Sequence, residues 1–273
     1  MMGRIFAFIG NRPDFGAELL TAQPEVVSVR REDQALGWGI GLFQAGEILL
    51  RRRPTDERAV VDLAEAVRGA RTSTLIGSVR APTTGEPRTE NMQPFRHGGW
   101  LFASSVTVAG YDALRSRLLE ALPPFLRNNV RGETESEALF CVFLSFLHDA
   151  GALRETAVDP SVIRAAMRST LSLVDRFGAE DGFAKCTGDL FVSNGEHLVA
   201  AHRGGPLGMR TLRGRGEIEA ALGAELSGVP SMDSSRFTLL LSGLDPLPIG
   251  WERLPDGVCI TADPTHSPQV ESL

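Results

Sequence analysis

A chain of 273 residues with 42% apolar side chains is large enough to bury about three quarters of its unfolded surface in one layered domain. That size and composition exclude a disordered chain, a disulfide-stapled mini-protein and a collagen-like repeat. Twenty-eight basic against 34 acidic residues leave a net charge of −6, which argues against a general nucleic-acid binder. The longest apolar runs fall well short of the ~20 residues of a membrane-spanning helix.

In chain order, Ile5 to Ile9 reads as a short buried strand, apolar and bounded by Gly10 and Asn11. As the start of a chain this run is a poor secretory signal. Gly37 to Phe43 and Glu47 to Leu50 form a hairpin-like pair around Ala45-Gly46. Thr55-Asp56-Glu57 opens a predicted helix with Val60, Leu63, Ala64 and Val67 on one face. Leu75 to Val79 and Trp100 to Val106 read as strands, and Ala113 to Leu122 as a helix stopped by Pro123-Pro124. Thr134 and Glu137 have capping-box spacing before a strongly apolar helix through His148. Asp159-Pro160 caps and starts a second helix to about Phe177.

A hairpin follows, with Leu190-Phe191-Val192, a turn at Asn194-Gly195 and then His197 to Ala200. Phe237 to Leu241 and Val258 to Thr261 supply late strands. Strands, two adjacent helices and strands again do not make a βαβα alternation. The expected class is therefore α+β with largely antiparallel sheets.

Generic site motifs are scarce. The glycines of Gly37-Trp38-Gly39-Ile40-Gly41 do not fit a dinucleotide fingerprint, because no helix follows directly, and they read as tight strand packing. His197 and His202, five apart on a predicted strand, point to opposite faces and do not share a metal. Arg51-Arg52-Arg53 reads as a solvated run rather than an anion site. Lys185 is the one lysine, so a Schiff-base cofactor would have to use it, and no cofactor is expected. Cys141, Cys186 and Cys259 are odd in number and widely spaced, without disulfide or zinc spacing, which fits a reducing cytoplasm. Each sits in an apolar helix or strand and reads as a small buried hydrophobe.

One set of blocks is specific. Met2-Gly3-Arg4-Ile5-Phe6-Ala7-Phe8-Ile9-Gly10 is followed in order by Gly37-Trp38-Gly39-Ile40-Gly41, Ser78-Val79-Arg80-Ala81-Pro82-Thr83-Thr84-Gly85 and Asn91-Met92-Gln93-Pro94-Phe95. Gly99 to Ser105, Gly132 to Phe140, Ser193 to Leu198, Asp245-Pro246-Leu247 and Trp251 to Gly257 continue the series. Together they resemble the class II glutamine amidotransferases over about residues 2 to 262, which implies one such domain over residues 1–262 and a tail of 263–273. The subgroup most similar is the small stand-alone one that includes the γ-glutamyl hydrolases of ergothioneine biosynthesis. The resemblance implies the N-terminal nucleophile fold, a four-layer αββα sandwich of two mostly antiparallel sheets.

The departures from the family's pattern bear on function. Such chains begin Met-Cys-Arg, and the exposed cysteine attacks the glutamine amide with help from its own α-amino group. Here Gly3 stands at the nucleophile position. The family's oxyanion hole uses an Asn-Gly pair after the Trp-Leu-Phe-Ala strand, where this chain reads Ser104-Ser105-Val106. Two supporting histidines of the family become Ser78 and Gln93. Arg80, which the family uses to clamp the glutamine α-carboxylate, is kept, with Thr83 nearby. Glu135 replaces the aspartate that receives the substrate's ammonium group. Arg80 and Glu135 fit either a retained ligand pocket or a buried ion pair without a ligand.

No catalytic residue is assigned. Ser104, Ser105 and Thr107 lie by the former oxyanion strand, but the sequence places no base beside them. The resemblance implies a catalytically inactive amidotransferase-like protein of the cytoplasm, a binding, regulatory or structural subunit of a partner enzyme or complex or of a homo-oligomer. Nucleic acid and a membrane span are not expected. The alternatives are a hydrolase of glutamine or a γ-glutamyl amide with a non-cysteine nucleophile, and a sensor holding an amino acid or γ-glutamyl ligand on Arg80, Thr83 and Glu135.

Overall fold

Ile5, Ala7 and Ile9 alternate with Phe6 and Phe8 along strand β1 (Arg4–Gly10), and all five are buried, so both faces of this strand need cover. The computed structural model, which describes residues 3–30, 35–81 and 86–273, shows what covers them. Helices α1 (Gly16–Thr21) and α2 (Pro24–Val27) lead to strand β2 (Ser28–Arg30). The hairpin β3 (Leu36–Gln44) and β4 (Glu47–Asp56) turns at Ala45-Gly46, where both residues take positive φ. Strand β5 (Val60–Asp62), helix α3 (Ala64–Val67) and strand β6 (Thr74–Arg80) follow.

Strands β7 (Phe95–His97) and β8 (Trp100–Ser104) precede four helices, α4 (Tyr111–Glu120), α5 (Pro124–Arg127), α6 (Glu135–Asp149) and α7 (Pro160–Glu180). The chain then runs through β9 (Gly188–Ser193), β10 (Leu198–Arg203), β11 (Leu207–Arg213) and α8 (Gly214–Leu222). It finishes with β12 (Arg236–Ser242), β13 (Glu252–Arg253), β14 (Val258–Ala262) and β15 (Gln269–Ser272).

Seven strands form one antiparallel sheet in the order β13-β11-β12-β1-β6-β3-β4, and six form a second in the order β15-β14-β10-β9-β8-β7. Three apolar layers make the sandwich. Phe6, Phe8 and Leu75 meet Leu19, Val67 and Ile218 of α1, α3 and α8 on the outer side of the first sheet. Ile5, Ile76 and Leu240 face Leu101, Phe191 and Ile260 between the sheets. Phe102 and Val192 pack on Phe140, Phe143 and Met167 of α6 and α7 beyond the second sheet. This is the α+β, four-layer arrangement that the resemblance implied. Among the described residues no helix is long and apolar enough to cross a membrane.

Two sequence expectations change. The helix from Thr55 is not there: Asp56 ends β4, Val60–Asp62 pairs with Ser28–Arg30, and only Ala64–Val67 coils. The Asp56 carboxylate is a buried anchor for Arg58 and for the Trp38 Nε1–H at 3.0 Å, so it is not available to a helix first turn. In the segment expected as a tail, Gln269–Ser272 adds an edge strand to β14. Both helices carry side-chain N-caps, with Thr134 accepting from the Glu137 N–H and Asp159 from the Ser161 N–H. All three cysteines are free and buried, and burial pushes the thiols of Cys141 and Cys186 up to about 12 and that of Cys259 to about 11.

Candidate ligand cavity at the open end of the sandwich

The strands β1, β6, β8 and β12 bring their ends to one edge of the sandwich, and the first turn of α6 closes it from the side. Between them lies a cavity of about 850 Å³. It is lined by Gly3, Arg80, Ser104, Ser105, Val106 and Glu135, the described positions that the sequence singled out. Thr83 lies outside the described residues. Ser78 and Gln93, which stand where the family has histidines, also line it.

Antiparallel pairing sets Arg4 opposite Val79 and Gly37 opposite Arg80, so Gly3 lies beside Arg80 at the cavity wall. The approach is close. A Cβ on Gly3 would sit 2.9 Å from the Arg80 Cβ and 3.0 Å from the Val79 carbonyl oxygen, so a side chain at position 3 does not fit without movement. Burial lowers the pKa of the Arg80 guanidinium, and the negative charge of Glu135 partly restores it. Both residues line the cavity.

The segment after β8 is closed upon itself. Gln93 donates from Nε2 to the Ser104 carbonyl at 2.8 Å and to the Ser136 Oγ at 3.1 Å, and its Oε1 accepts from the Ser104 N–H. Ser104 and Ser136 join through their hydroxyls at 2.8 Å. Ser104 is therefore committed to an internal network. Ser105 is not. Its Oγ lies 3.1 Å from the Ser242 Oγ at the end of β12, and Ser242 donates to Oδ2 of Asp189 on β9. The other oxygen, Oδ1, lies 2.6 Å from Nδ1 of His202 on β10. Asp189, His202 and Ser242 are all buried.

Sequence reasoning missed Ser242, Asp189 and His202 as a group. His202 faces Asp189 directly across the β9–β10 pair, whereas His197 lies in the loop before β10. The run Arg51–Arg53 belongs to β4 instead of a loop, with the Arg52 guanidinium 5.7 Å over the Phe95 ring. Among the described residues no cluster of histidine, cysteine and carboxylate side chains is arranged to hold a metal.

The family model for glutamine amidotransferases class-II matches residues 27–215, more than half of the chain. The chain belongs to the class II glutamine amidotransferase family. Three solved structures share the fold of this amidotransferase-family chain. A glutamine aminotransferase class-II domain protein from Silicibacter pomeroyi is 18% identical, with TM-score 0.60 and 98% of each chain covered. A predicted glutamine amidotransferase from Pseudomonas aeruginosa is 17% identical, with TM-score 0.60 over 95% of this chain and 97% of that one. Glutamine phosphoribosylpyrophosphate amidotransferase from B. subtilis, complexed with ADP and GMP, is 12% identical with TM-score 0.56. There the match covers 98% of this chain and 49% of the other. No curated protein matches the sequence.

In this member of the class II amidotransferase family the cavity lining carries both signs of charge. A planar cation with several N–H donors, Arg80 at the end of β6, and a carboxylate, Glu135 in the first turn of α6, both line it. Gly3, the position that the resemblance matches to the family's nucleophile, has no room for a side chain without movement. A cavity of this volume lies within the ~300–1,000 Å³ range of small-molecule sites.

Proposed function

We propose that this class II amidotransferase-like protein has lost the family's cysteine-dependent reaction and works as a binding, regulatory or structural subunit, its cavity taking glutamine or a γ-glutamyl compound. The observation that carries this reading is a crowded glycine at position 3 together with a cation and a carboxylate that line the same cavity. Arg80 clamps the ligand's α-carboxylate and Glu135 takes its ammonium group. The extra methylene of Glu135 relative to aspartate brings that carboxylate further into the cavity. Thr83 is assigned to the same ligand by the family resemblance alone. The partner is a protein of the same pathway or a second copy of this chain, in the cytoplasm.

Calorimetry with glutamine and a γ-glutamyl amide tests the reading. Binding is expected, and Arg80→Ala is expected to weaken it about 10- to 100-fold, the range for a charged hydrogen bond worth ~1.5–3 kcal/mol. Absence of heat with both compounds sinks the pocket reading. Recovery of the chain alone from its host at every concentration sinks the subunit role.

A second reading, a hydrolase of a γ-glutamyl amide or related acyl compound with a non-cysteine nucleophile, is favoured by one observation. That observation is the chain of contacts from Ser105 to the buried Asp189–His202 pair.

A further inference from the structure

We propose that Ser105 is a nucleophile that accepts an acyl group from a ligand in the cavity, with its proton drawn off through Ser242 to Asp189. The proposal rests on the second reading above and names its reactive atom.

Hydrogen-bond counting fixes the direction of the chain. An ionised carboxylate only accepts, and a serine hydroxyl has one hydrogen and two lone pairs. Ser242 gives its single hydrogen to Asp189. The contact between Ser105 and Ser242 at 3.1 Å therefore has Ser105 as donor. The Ser105 hydrogen points into the protein, leaving its lone pairs for the cavity that this half-buried residue lines. That is the orientation a nucleophile needs. His202 Nδ1 holds the far oxygen of Asp189 at 2.6 Å and so fixes the carboxylate against Ser242.

The neighbouring backbone supplies a donor. Ser105 N–H bonds the Asp189 carbonyl and Thr107 N–H bonds the Thr187 carbonyl, both at 2.8 Å. Alternation along the extended chain turns the N–H of Val106 the other way, to the side where the Ser104 N–H meets Gln93. Among the described residues the Val106 N–H makes no hydrogen bond. An N–H of the residue after the nucleophile, aimed at the growing negative oxygen, is the kind of preorganised donor that acyl transfer requires.

The step balances. Ser105 Oγ bonds to the acyl carbon of a γ-glutamyl ester or amide, the Ser105 hydrogen passes to Ser242, and the Ser242 hydrogen passes to Asp189. The bond from the acyl carbon to its leaving group breaks, and that group departs with the proton returned along the same path. Water then attacks the acyl-serine, releases the acid and restores the Ser105 hydroxyl. Ser105 alone touches the acyl group; Ser242, Asp189 and His202 are positioning residues.

The test uses the full chain and a fluorophosphonate probe, whose P–F bond breaks as the Ser105 oxygen bonds to phosphorus. Peptide mass spectrometry locates the adduct, and labelling rates are followed against probe concentration. The adduct is expected on Ser105 and lost in Ser105→Ala, with Ser104→Ala labelling like the parent. Ser242→Ala and Asp189→Asn are expected to lower the maximal rate on the order of 10²-fold with the half-saturating concentration unchanged. Thermal unfolding establishes that each variant is folded. Ser105→Ala removes one oxygen from a half-buried position and serves as the decisive variant where Asp189→Asn does not fold. An unlabelled parent, an adduct elsewhere, or folded Ser242→Ala labelling at the parental rate overturns the proposal. Glutamine binding in the same preparation is unaffected by those outcomes, so failure here is separable from failure of the binding role.

Discussion

Placing a cysteine at position 3 is the sharpest trial of the proposed loss of the family's cysteine-dependent reaction. The Cβ of Gly3→Cys would lie 2.9 Å from the Arg80 Cβ and 3.0 Å from the Val79 carbonyl oxygen, and neither is the free end of a flexible side chain. One strand must shift to admit it, and such overpacking costs about 1–3 kcal/mol. For a domain of this size that corresponds to a Tm lowered by roughly 2–4 °C per kcal/mol. The shift also moves Arg80, the residue proposed to orient glutamine. The thiol would further lack the family's oxyanion pair, since Ser104 gives its N–H to Gln93, and loss of such a donor typically costs about 10²–10³ in turnover. Gly3→Cys is therefore expected to melt lower and to release no ammonia from glutamine above the parental rate. Differential scanning calorimetry and a coupled ammonia assay read both quantities. An unchanged Tm together with glutamine turnover would refute the steric reasoning.

Other outcomes follow from the same contacts. Asp56, held well below the usual carboxylate range chiefly by hydrogen bonds from Arg58, contributes stability that is full above about pH 4 and drains as pH falls through that value toward its folded pKa. In urea unfolding, the advantage of the parent over Asp56→Asn should shrink between about pH 6 and about pH 3; an advantage that grows would reverse the sign. With thiols pushed up by burial to about 11 or 12, none of the three cysteines should react with a disulfide reagent in the native protein near pH 8, and all should react once unfolded. Phe143 is fully buried and meets Trp100 edge-on with ring centroids 5.7 Å apart. Phe143→Ala should cost about 3–5 kcal/mol in denaturant unfolding, and a loss below 1 kcal/mol would mean that α6 repacks freely.

Much of the scaffold was legible because its signals are local. The positive-φ turn at Ala45-Gly46, the Thr134 cap and Asp159-Pro160 each act within a few residues. The capping box was only half right. The Glu137 side chain reaches the N–H groups of Arg131 and Gly132, at 3.0 and 2.6 Å, and so builds the loop beside the cavity rather than bonding back to Thr134. The segment from Thr55 misled because Val60, Leu63 and Val67 fit a helical face as readily as a short strand followed by one turn. The partner that decides, Ser28–Arg30, is far away in sequence.

At the site, Gly3, Arg80 and Glu135 were found through the family's motifs, whereas the Asp189–His202–Ser242 group was not. A two-residue turn at Asn194-Gly195 would have set Asp189 opposite Ala200. The loop spans residues 194–197, held by the Asn194 Oδ1 accepting from the N–H groups of Glu196 and His197, and this delivers His202 to Asp189. Ser242 arrives from the other sheet, which no local pattern encodes.

That last contact has a mechanical consequence. Ser242 belongs to the seven-stranded sheet and Asp189 to the six-stranded one, so their bond crosses the sandwich directly behind Ser105, which lines the cavity. Apolar faces such as Ile5 against Phe191 tolerate sliding, because dispersion has little directional preference, but a hydrogen bond to a buried carboxylate does not. The bond acts as a dowel between two plates, pinning their offset next to the cavity. Cavity width is then a property of the sheet pair as a whole, and anything that docks on either outer helical layer and strains that offset is felt at Ser105.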